Sequence, residues 1–198
     1  MKESFFKDHY ALVDLSANYW WIVGFKTEEE FKEIAKYKLK LLQDCGFNYE
    51  KSLLDVGCGT GLIPSVIYDD MIASYLGLDI MSSAVEFCRT RYPRFNFAVS
   101  QEDSLLIKQE SFDFIVFYSL FTHSYAKEVE SLLSESVKHL NDGGKIVADF
   151  FIGNEKPTTR EMVPTSRYNF EKILNKLSLN YRIISDDTLS RILVEIYR

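Results

Sequence analysis

The chain has 198 residues, of which 46% are hydrophobic and 15% aromatic, and its formal net charge is −6 at pH 7. This length suits one domain with a sizeable core, and the acidic balance argues against a nucleic-acid or anionic-membrane partner, which would require a basic surface. The three cysteines show no C-x-x-C spacing and the start lacks a signal-peptide pattern, so we expect a cytoplasmic protein without disulfides or a bound metal.

The first 46 residues combine an aromatic segment with one amphipathic helix. After the aromatic segment, Thr27 followed by the acidic run Glu28–Glu30 predicts a helix N-terminus. Apolar residues then recur at helical spacing up to Gly46, which predicts the end of the helix. We expect residues 1–46 to form a cap packed on a core domain of residues 47–198, across a sheet edge or over a ligand site.

From residue 51 onward, strand-like and helix-like segments alternate, which is the pattern of an α/β fold with a parallel sheet. Helices are predicted to start near Ile63 and at Ser82 or Ser83, and to cover 124–140 and 166–178; residues Asn141–Gly144 are predicted to end the third of these. The predicted strands are Lys51–Val56, Ser74–Ile80, Phe95–Val99, Phe112–Tyr118, Lys145–Phe151, Tyr181–Ser185 and Ile192–Tyr197.

The last two predicted strands differ from the others, because only the polar stretch Asp186–Arg191 joins them. That connection is too short for a helical crossover between parallel strands, so the two are predicted to form an antiparallel hairpin at the sheet edge. The polar loop Gly153–Pro164, which contains Arg160, follows the fifth strand and is a candidate for selecting a ligand.

A glycine-rich turn follows the first predicted strand and reads Asp55-Val-Gly-Cys-Gly-Thr-Gly61. Glycine permits a positive φ and lets a ligand approach the main chain, and such a turn before a helix predicts free N–H groups for a polar or anionic ligand. Ligands of open α/β sheets bind at this kind of loop. Its G-x-G-x-G spacing differs from the G-x-G-x-x-G of dinucleotide-binding folds.

The turn resembles motif I of the class I S-adenosylmethionine-dependent methyltransferases. The resemblance implies a Rossmann-like fold with a mostly parallel seven-stranded sheet, a C-terminal antiparallel hairpin and helices on both faces, and it implies S-adenosylmethionine as the cofactor. Asp55 is then expected to receive the ammonium group of the cofactor's amino-acid tail. The residues expected to pack against the tail and the sugar are Gly57, Cys58, Gly59 and Gly61.

Asp79 closes the second predicted strand, 24 residues after Asp55. In the resembling family an acidic residue at this strand end accepts hydrogen bonds from the ribose hydroxyls, and the alternative for Asp79 is a helix N-cap. Ile80 and Met81 are expected to lie against the adenine. After the third strand, Gln101 with adjacent Glu102 is the candidate for binding the adenine amino group, while a solvated loop is the alternative there.

The fourth predicted strand runs into Tyr118 and then Ser-Leu-Phe-Thr-His123, which resembles a common continuation of the family's fourth motif. Strand ends of this fold face the ligand, so Tyr118 is expected at the cofactor. His123 is a candidate catalytic base that takes a proton from an attacking hydroxyl or amine, and a structural role in the loop is its alternative.

Aromatic residues of the N-terminal segment are candidates for lining the acceptor pocket, because aromatic faces attract a sulfonium cation. With His123 and Arg160, the expected acceptor-binding residues are Tyr10, Tyr19 and Trp20.

The expected activity is methyl transfer from S-adenosylmethionine to an O or N atom of a small-molecule acceptor, by a monomer or homodimer. Three alternatives stay open: a non-catalytic S-adenosylmethionine-binding regulator or scaffold, a protein or nucleic-acid methyltransferase, and an NAD(P)-dependent oxidoreductase, although the last requires a different glycine spacing.

Overall fold

The computed structural model describes residues 14–67, 74–108, 110–151, 165–186 and 191–198. Within them, seven strands form one sheet of order β3-β2-β1-β4-β5-β7-β6. The strands are β1 Ser52–Val56, β2 Ser74–Asp79, β3 Asn96–Val99, β4 Phe112–Phe117, β5 Leu140–Phe151, β6 Asn180–Asp186 and β7 Arg191–Tyr197. The helices are α1 Leu15–Ile22, α2 Glu28–Asp44, α3 Ser82–Arg91, α4 Ala126–Lys138 and α5 Arg167–Lys176.

The predicted fold class is confirmed: the sheet is mostly parallel and ends in an antiparallel hairpin. Strand β1 pairs with β2, β2 with β3, and β4 with β5 in parallel, whereas β7 pairs with both β5 and β6 in the antiparallel sense. None of the helices described is long and apolar enough to cross a membrane.

The chain divides into two compact units, residues 1–102 and 103–198. In the first unit, α2 begins as predicted, because the Thr27 side chain accepts a hydrogen bond from the N–H of Glu30 at 3.1 Å. The apolar face of α2 buries Phe31, Ala35, Leu39 and Leu42. The proposed boundary between residues 46 and 47 stays a prediction.

In the second unit, a row of aromatic rings fills the core. Consecutive ring centroids lie 4.4–5.1 Å apart, close enough for direct aromatic contact. The row connects the end of β4, the segment that follows it, β5, α5 and β6 through Phe117, Phe121, Phe150, Phe170 and Tyr181.

Three local predictions differ from the structure. The expected helix near Ile63 is a series of turns up to Val66 in the part described before the gap at 68. Helix α3 begins at Ser82 as predicted, but the expectation that Ser82 or Ser83 also caps it is wrong, because the N-cap position is Met81 and has no side-chain hydrogen bond. Residues Asn141–Gly144 lie within β5, where the register jumps from Phe112↔Leu140 to Phe114↔Lys145, so they form an irregularity in the strand instead of a loop before it.

Candidate functional site

The glycine turn of the first unit requires glycine at each of its three glycine positions. Gly57, Gly59 and Gly61 have φ values of 77°, 53° and 87°, in the left-handed region that side chains with a Cβ seldom adopt. At Gly61 an added Cβ would also lie 2.4 Å from Cε2 of the Tyr92 ring. The turn therefore presents a compact backbone surface at the carboxyl end of β1 (hereafter the glycine loop, residues 57–61).

Four of the five N–H groups of the glycine loop donate hydrogen bonds inside the protein, contrary to the expectation of free donors. Gly57 and Cys58 both donate to the carbonyl oxygen of Leu78, at 2.7 and 2.9 Å. Gly61 donates to the carbonyl oxygen of Cys58 at 2.9 Å, and Gly59 donates to a carboxylate oxygen of Asp79, also at 2.9 Å. These bonds fix the loop against the end of β2. A ligand would therefore pack against the surface of the loop backbone, because these N–H groups already have acceptors within the protein.

Asp79 connects the glycine loop to the start of α3. Its Oδ2 accepts from Gly59 N at 2.9 Å and its Oδ1 accepts from Met81 N at 2.8 Å. Burial raises the pKa of the Asp79 carboxyl, and the hydrogen bonds from Met81 and Gly59 oppose that shift. A carboxylate has about four lone-pair sites, so two backbone donors leave acceptor capacity for further hydroxyl groups. The N-cap position of α3 is Met81, so Asp79 does not take the alternative role of N-cap. Its bond from Met81 N is compatible with the expected ligand role.

Asp55 lies at the penultimate position of β1 and is buried. Its Oδ2 accepts a hydrogen bond from the Tyr75 hydroxyl at 2.8 Å. Burial raises the pKa of Asp55 to about 7; the hydrogen bond from Tyr75 and the charge of Lys38 lower it, and the charge of Asp79 raises it further. A buried carboxyl whose hydrogen-bond donor is a neutral hydroxyl is suited to pair with a cationic ligand group.

Two buried thiols lie at the inner side of the glycine loop. The Cys88 thiol donates to the carbonyl oxygen of Gly59 at 3.3 Å, and the pKa of the Cys58 thiol is raised well above its usual value by its hydrogen bond with Cys88 and by burial. The Cys58 thiol is therefore neutral at physiological pH, and both side chains are packing groups beneath the loop.

The two residues expected at the adenine lie after β2 and pack against α1. Met81 is buried in a cluster with Ile22 and Ala84, and Ile80 is partly buried against the same cluster. On the neighbouring strand, Ser100 N donates to the carbonyl oxygen of Asp79 at 2.9 Å. Gln101, which follows it, is solvent-exposed, and Glu102 is half-buried.

Tyr19 has a packing environment that the sequence did not predict. Its ring stacks on Phe87 with centroids 5.4 Å apart, meets Phe31 edge-on at 5.3 Å, and has the Arg91 guanidinium 5.6 Å above it. Its hydroxyl donates to Glu28 at 2.7 Å, and burial raises the pKa of Tyr19 to about 12. The ring is thus a structural anchor of α1 rather than an open pocket wall.

The other predicted acceptor residues of the N-terminal segment and the late loop differ in how far the structure describes them. Trp20 is half-buried and meets the Tyr19 ring edge-on at 5.1 Å. Tyr10 and Arg160 lie outside the described residues.

In the second unit, Tyr118 directly follows β4, and His123 is the last residue of a short structured turn that comes after it. Tyr118 is buried, and Phe121–His123 form a single 3₁₀ turn in which His123 N donates to the carbonyl oxygen of Leu120 at 3.0 Å. The His123 side chain is half-buried. The turn therefore gives His123 a defined backbone position.

Asp149 supports this turn and was missed by the sequence analysis. Its buried carboxylate accepts from Ser119 N at 2.6 Å, and Ser119 has a φ of 62°, which serine seldom adopts. The Ser119 carbonyl oxygen accepts from the Thr122 hydroxyl at 2.7 Å. A charged residue inside the otherwise apolar end of β5 was the one available sequence signal.

No group of three or more His, Cys, Asp or Glu side chains suited to a metal ion occurs in the part of the chain that the structure describes.

Comparison with known proteins finds one matching family model and several solved structures of similar fold. Residues 54–148 match a family model described as a methyltransferase domain. The fold is similar to DesVI of Streptomyces venezuelae, with a TM-score of 0.72 at 14% identity, covering 93% of this chain and 98% of that one. It is also similar to the magnesium protoporphyrin IX methyltransferase of Synechocystis with bound S-adenosylhomocysteine, with a TM-score of 0.65 at 15% identity and coverage of 84% and 83%. A Nostoc punctiforme protein provisionally described as an O-methyltransferase gives a TM-score of 0.66 at 16% identity, covering 85% of this chain but 56% of the Nostoc chain.

Proposed function

We propose that this chain, whose residues 54–148 match a methyltransferase domain and whose fold is similar to those of solved methyltransferases, is a class I S-adenosylmethionine-dependent methyltransferase. It would transfer the methyl group of S-adenosylmethionine to an oxygen or nitrogen atom of a small-molecule acceptor. The observation that carries the proposal is the Asp79 carboxylate, held between Gly59 N and Met81 N at the end of β2. It has the position and the remaining acceptor capacity that a ribose diol needs.

The residues around Asp79 fit the rest of the cofactor. Asp55 would pair with the ammonium group of the amino-acid tail. Its hydrogen-bond donor within the protein, the Tyr75 hydroxyl, is neutral, so the ammonium group would add a positive charge beside this buried carboxyl. The glycine loop would pack against the tail and the sugar, since its three glycines present no side chains. Ile80 and Met81 would contact the adenine.

At the edge of the adenine, Gln101 would accept a hydrogen bond from the amino group, with Glu102 beside it. This assignment is supported by the exposed side chain of Gln101 and by its place directly after Ser100, which is bonded to the Asp79 backbone.

The residues that follow β4 would supply the acceptor chemistry. When bound, S-adenosylmethionine supplies an electrophilic methyl group, and the protein's task is chiefly to orient an attacking lone pair. His123 would take the proton that the acceptor hydroxyl or amine loses, and Tyr118 would contact the cofactor. Asp149 would hold the strained Ser119 that begins this turn. Tyr10, Trp20 and Arg160 would contribute to acceptor selection.

A small-molecule acceptor is supported by the net charge of −6, which gives no general attraction for nucleic acid. The Synechocystis neighbour, a magnesium protoporphyrin IX methyltransferase, is an example of this fold with a small-molecule acceptor. Fold similarity at this level of identity does not select an acceptor, so the acceptor class rests on the net charge.

The proposal is tested by release of S-adenosylhomocysteine when the protein is incubated with S-adenosylmethionine and a panel of small hydroxyl- and amine-bearing compounds. We expect one compound class to stimulate release in the wild type. The variant His123→Ala should lower kcat by about 10²- to 10⁴-fold, the usual contribution of general base catalysis, with the cofactor Kd nearly unchanged. Kd is measured by calorimetry.

His139→Ala is the matched control, because His139 lies at the end of α4 with its Nδ1 2.7 Å from the carbonyl oxygen of Glu110, and no catalytic role is proposed for it. It should keep wild-type turnover. Binding of NAD(P) in place of S-adenosylmethionine would end the proposal, and full activity of His123→Ala would reduce His123 to a structural residue.

A further inference from the structure

The C-terminal end of α1 has one carbonyl group that is satisfied by the glycine loop. The last four carbonyl groups of a helix lack regular intrahelical partners. In α1, Phe25 N donates to Trp20 O at 3.0 Å and Gly24 N donates to Trp21 O at 3.0 Å, with Gly24 at a φ of 92°, which is a Schellman arrangement. The cap residue Val23 also donates to Trp21 O.

Tyr19 O, the next carbonyl group toward the N-terminus, accepts from the Thr60 hydroxyl at 3.0 Å. Thr60 is a member of the glycine loop and is only 1% exposed. The bond therefore joins a buried donor to a helix carbonyl oxygen, and removing the donor would leave that oxygen without its partner in a site closed to water.

The α1 helix contacts the chain next to each of the two backbone donors that bind Asp79. Gly59, which donates to Oδ2 of Asp79, directly precedes Thr60 in the loop. Met81, which donates to Oδ1, packs its side chain against Ile22 of α1. One short helix thus contacts the chain at both points from which the proposed ribose-binding carboxylate is oriented.

The α1 helix has its own anchor, separate from Thr60. The Tyr19 ring is packed between Phe31 of α2 and Phe87 of α3, and its hydroxyl is bonded to Glu28. Loss of the Thr60 hydroxyl should therefore leave α1 in place and the loop bonded to β2, while the link between the two is lost.

From these contacts we propose that Thr60 is a positioning residue for cofactor binding: its hydroxyl ties the glycine loop to α1, so that α1 docking and binding of the cofactor stabilise each other. The inference rests on the proposed function, because the ligand whose affinity is coupled is S-adenosylmethionine or its product. The coupling is reciprocal, so the cofactor must also stabilise α1.

The test compares the full chain with Thr60→Val, which keeps the shape and removes the hydroxyl, and Thr60→Ser, which keeps the hydroxyl. Calorimetry with S-adenosylhomocysteine should give an affinity roughly 5- to 30-fold weaker for Thr60→Val, the range expected for one lost buried hydrogen bond, and a near wild-type affinity for Thr60→Ser. Hydrogen exchange should show that S-adenosylhomocysteine slows exchange in residues 15–25 of the wild type, and that this protection is largely lost in Thr60→Val.

A purely structural role for Thr60 would lower the melting temperature of Thr60→Val while leaving its S-adenosylhomocysteine affinity unchanged, and that result would overturn the inference. Absence of any cofactor-dependent protection of residues 15–25 in the wild type would overturn it as well. If Thr60→Val does not fold, Thr60→Ala removes the hydroxyl without adding a methyl group at its position. Failure of the wild type itself to bind S-adenosylhomocysteine would instead refute the proposed function.

Discussion

Glu195 of the second unit and the buried aspartates Asp55 and Asp79 of the first unit have different hydrogen-bond and ion-pair partners. In the second unit, Glu195 is buried in β7 and forms ion pairs with Lys145, at 2.5 Å, and with Arg182. In the first unit, Asp55 is hydrogen-bonded to the neutral hydroxyl of Tyr75, and Asp79 to two backbone N–H groups.

This difference separates a structural charge from charges that a ligand can use. Glu195 has cations of the protein itself close to both of its oxygens, so the folded chain compensates its charge. The first unit holds its two site carboxylates with polar but uncharged donors, and burial raises the pKa of each. A cationic or hydroxyl-bearing ligand can therefore improve the environment of Asp55 and Asp79, whereas it has little to add at Glu195.

The largest expected effect is the pH dependence of stability that Asp55 causes. Its pKa is about 7 in the folded protein, against about 3.9 in an unfolded chain. Between these values the folded state binds more protons than the unfolded state, so the free energy of unfolding that Asp55 contributes falls as the pH rises. The total fall across this window is on the order of 4 kcal/mol.

Asp55→Asn removes this contribution while keeping an oxygen that can accept from Tyr75. Urea unfolding without cofactor, measured at several pH values from about 4.5 to 8, should show a steeper loss of stability in the wild type than in Asp55→Asn. Parallel curves for the two proteins would mean that Asp55 is ionised throughout, and the contrast with Glu195 would then fail.

The next largest expected effect is the loss of cofactor affinity when Asp79 is replaced. We expect Asp79→Ala to weaken S-adenosylmethionine binding by about 1.5–3 kcal/mol, the scale of hydrogen bonds to a charged group. It should also lower stability, since Gly59 N and Met81 N lose their acceptor. Calorimetry at a temperature where both proteins are folded separates the two effects.

Asp79→Asn is the matched control, because its amide oxygen still accepts one backbone hydrogen bond while its charge is gone. We expect its affinity to lie between those of the wild type and Asp79→Ala. An unchanged affinity in Asp79→Ala would remove Asp79 from the cofactor site and leave it as a structural link between the loop and α3.

The parts of the site that follow local rules could be predicted from the sequence. Alternating glycines after an apolar strand specify a turn with positive φ, and all three glycines adopt it. The acid at the end of the next strand was identified by its distance along the chain, and it does lie beside the turn, bonded to Gly59.

The parts that depend on non-local pairing could not be predicted. Nothing in the local pattern of Tyr19 distinguishes a pocket wall from a ring packed on α2 and α3, because the partners Phe31 and Phe87 are distant in sequence. Likewise, Asp149 lies 30 residues from the Ser119 N–H that it binds. The N–H groups of Gly57 and Cys58 were expected to be free, but they donate to Leu78 O, which lies on another strand and is 20 or more residues away in sequence order.

The smallest expected effect is the loss of stability when the ion-paired carboxylate Glu195 is replaced. We expect Glu195→Gln to lower the free energy of unfolding by about 1–2 kcal/mol, because a buried charge-assisted network is lost while the partner cations stay partly solvated. The side chains of Lys145 and Arg182 are 32% and 57% exposed, so water can compensate their charges. The affinity for S-adenosylmethionine should be unchanged.

Glu171→Gln is the control for Glu195→Gln, since Glu171 forms a solvent-exposed ion pair with Arg167 at 3.1 Å in the same unit. Its loss of stability in urea unfolding should be smaller than that of Glu195→Gln. If Glu195→Gln instead weakened cofactor binding at constant stability, Glu195 would belong with Asp55 and Asp79 as a ligand-directed charge. Compensation by the protein's own cations would then no longer distinguish the structural carboxylate from those of the site.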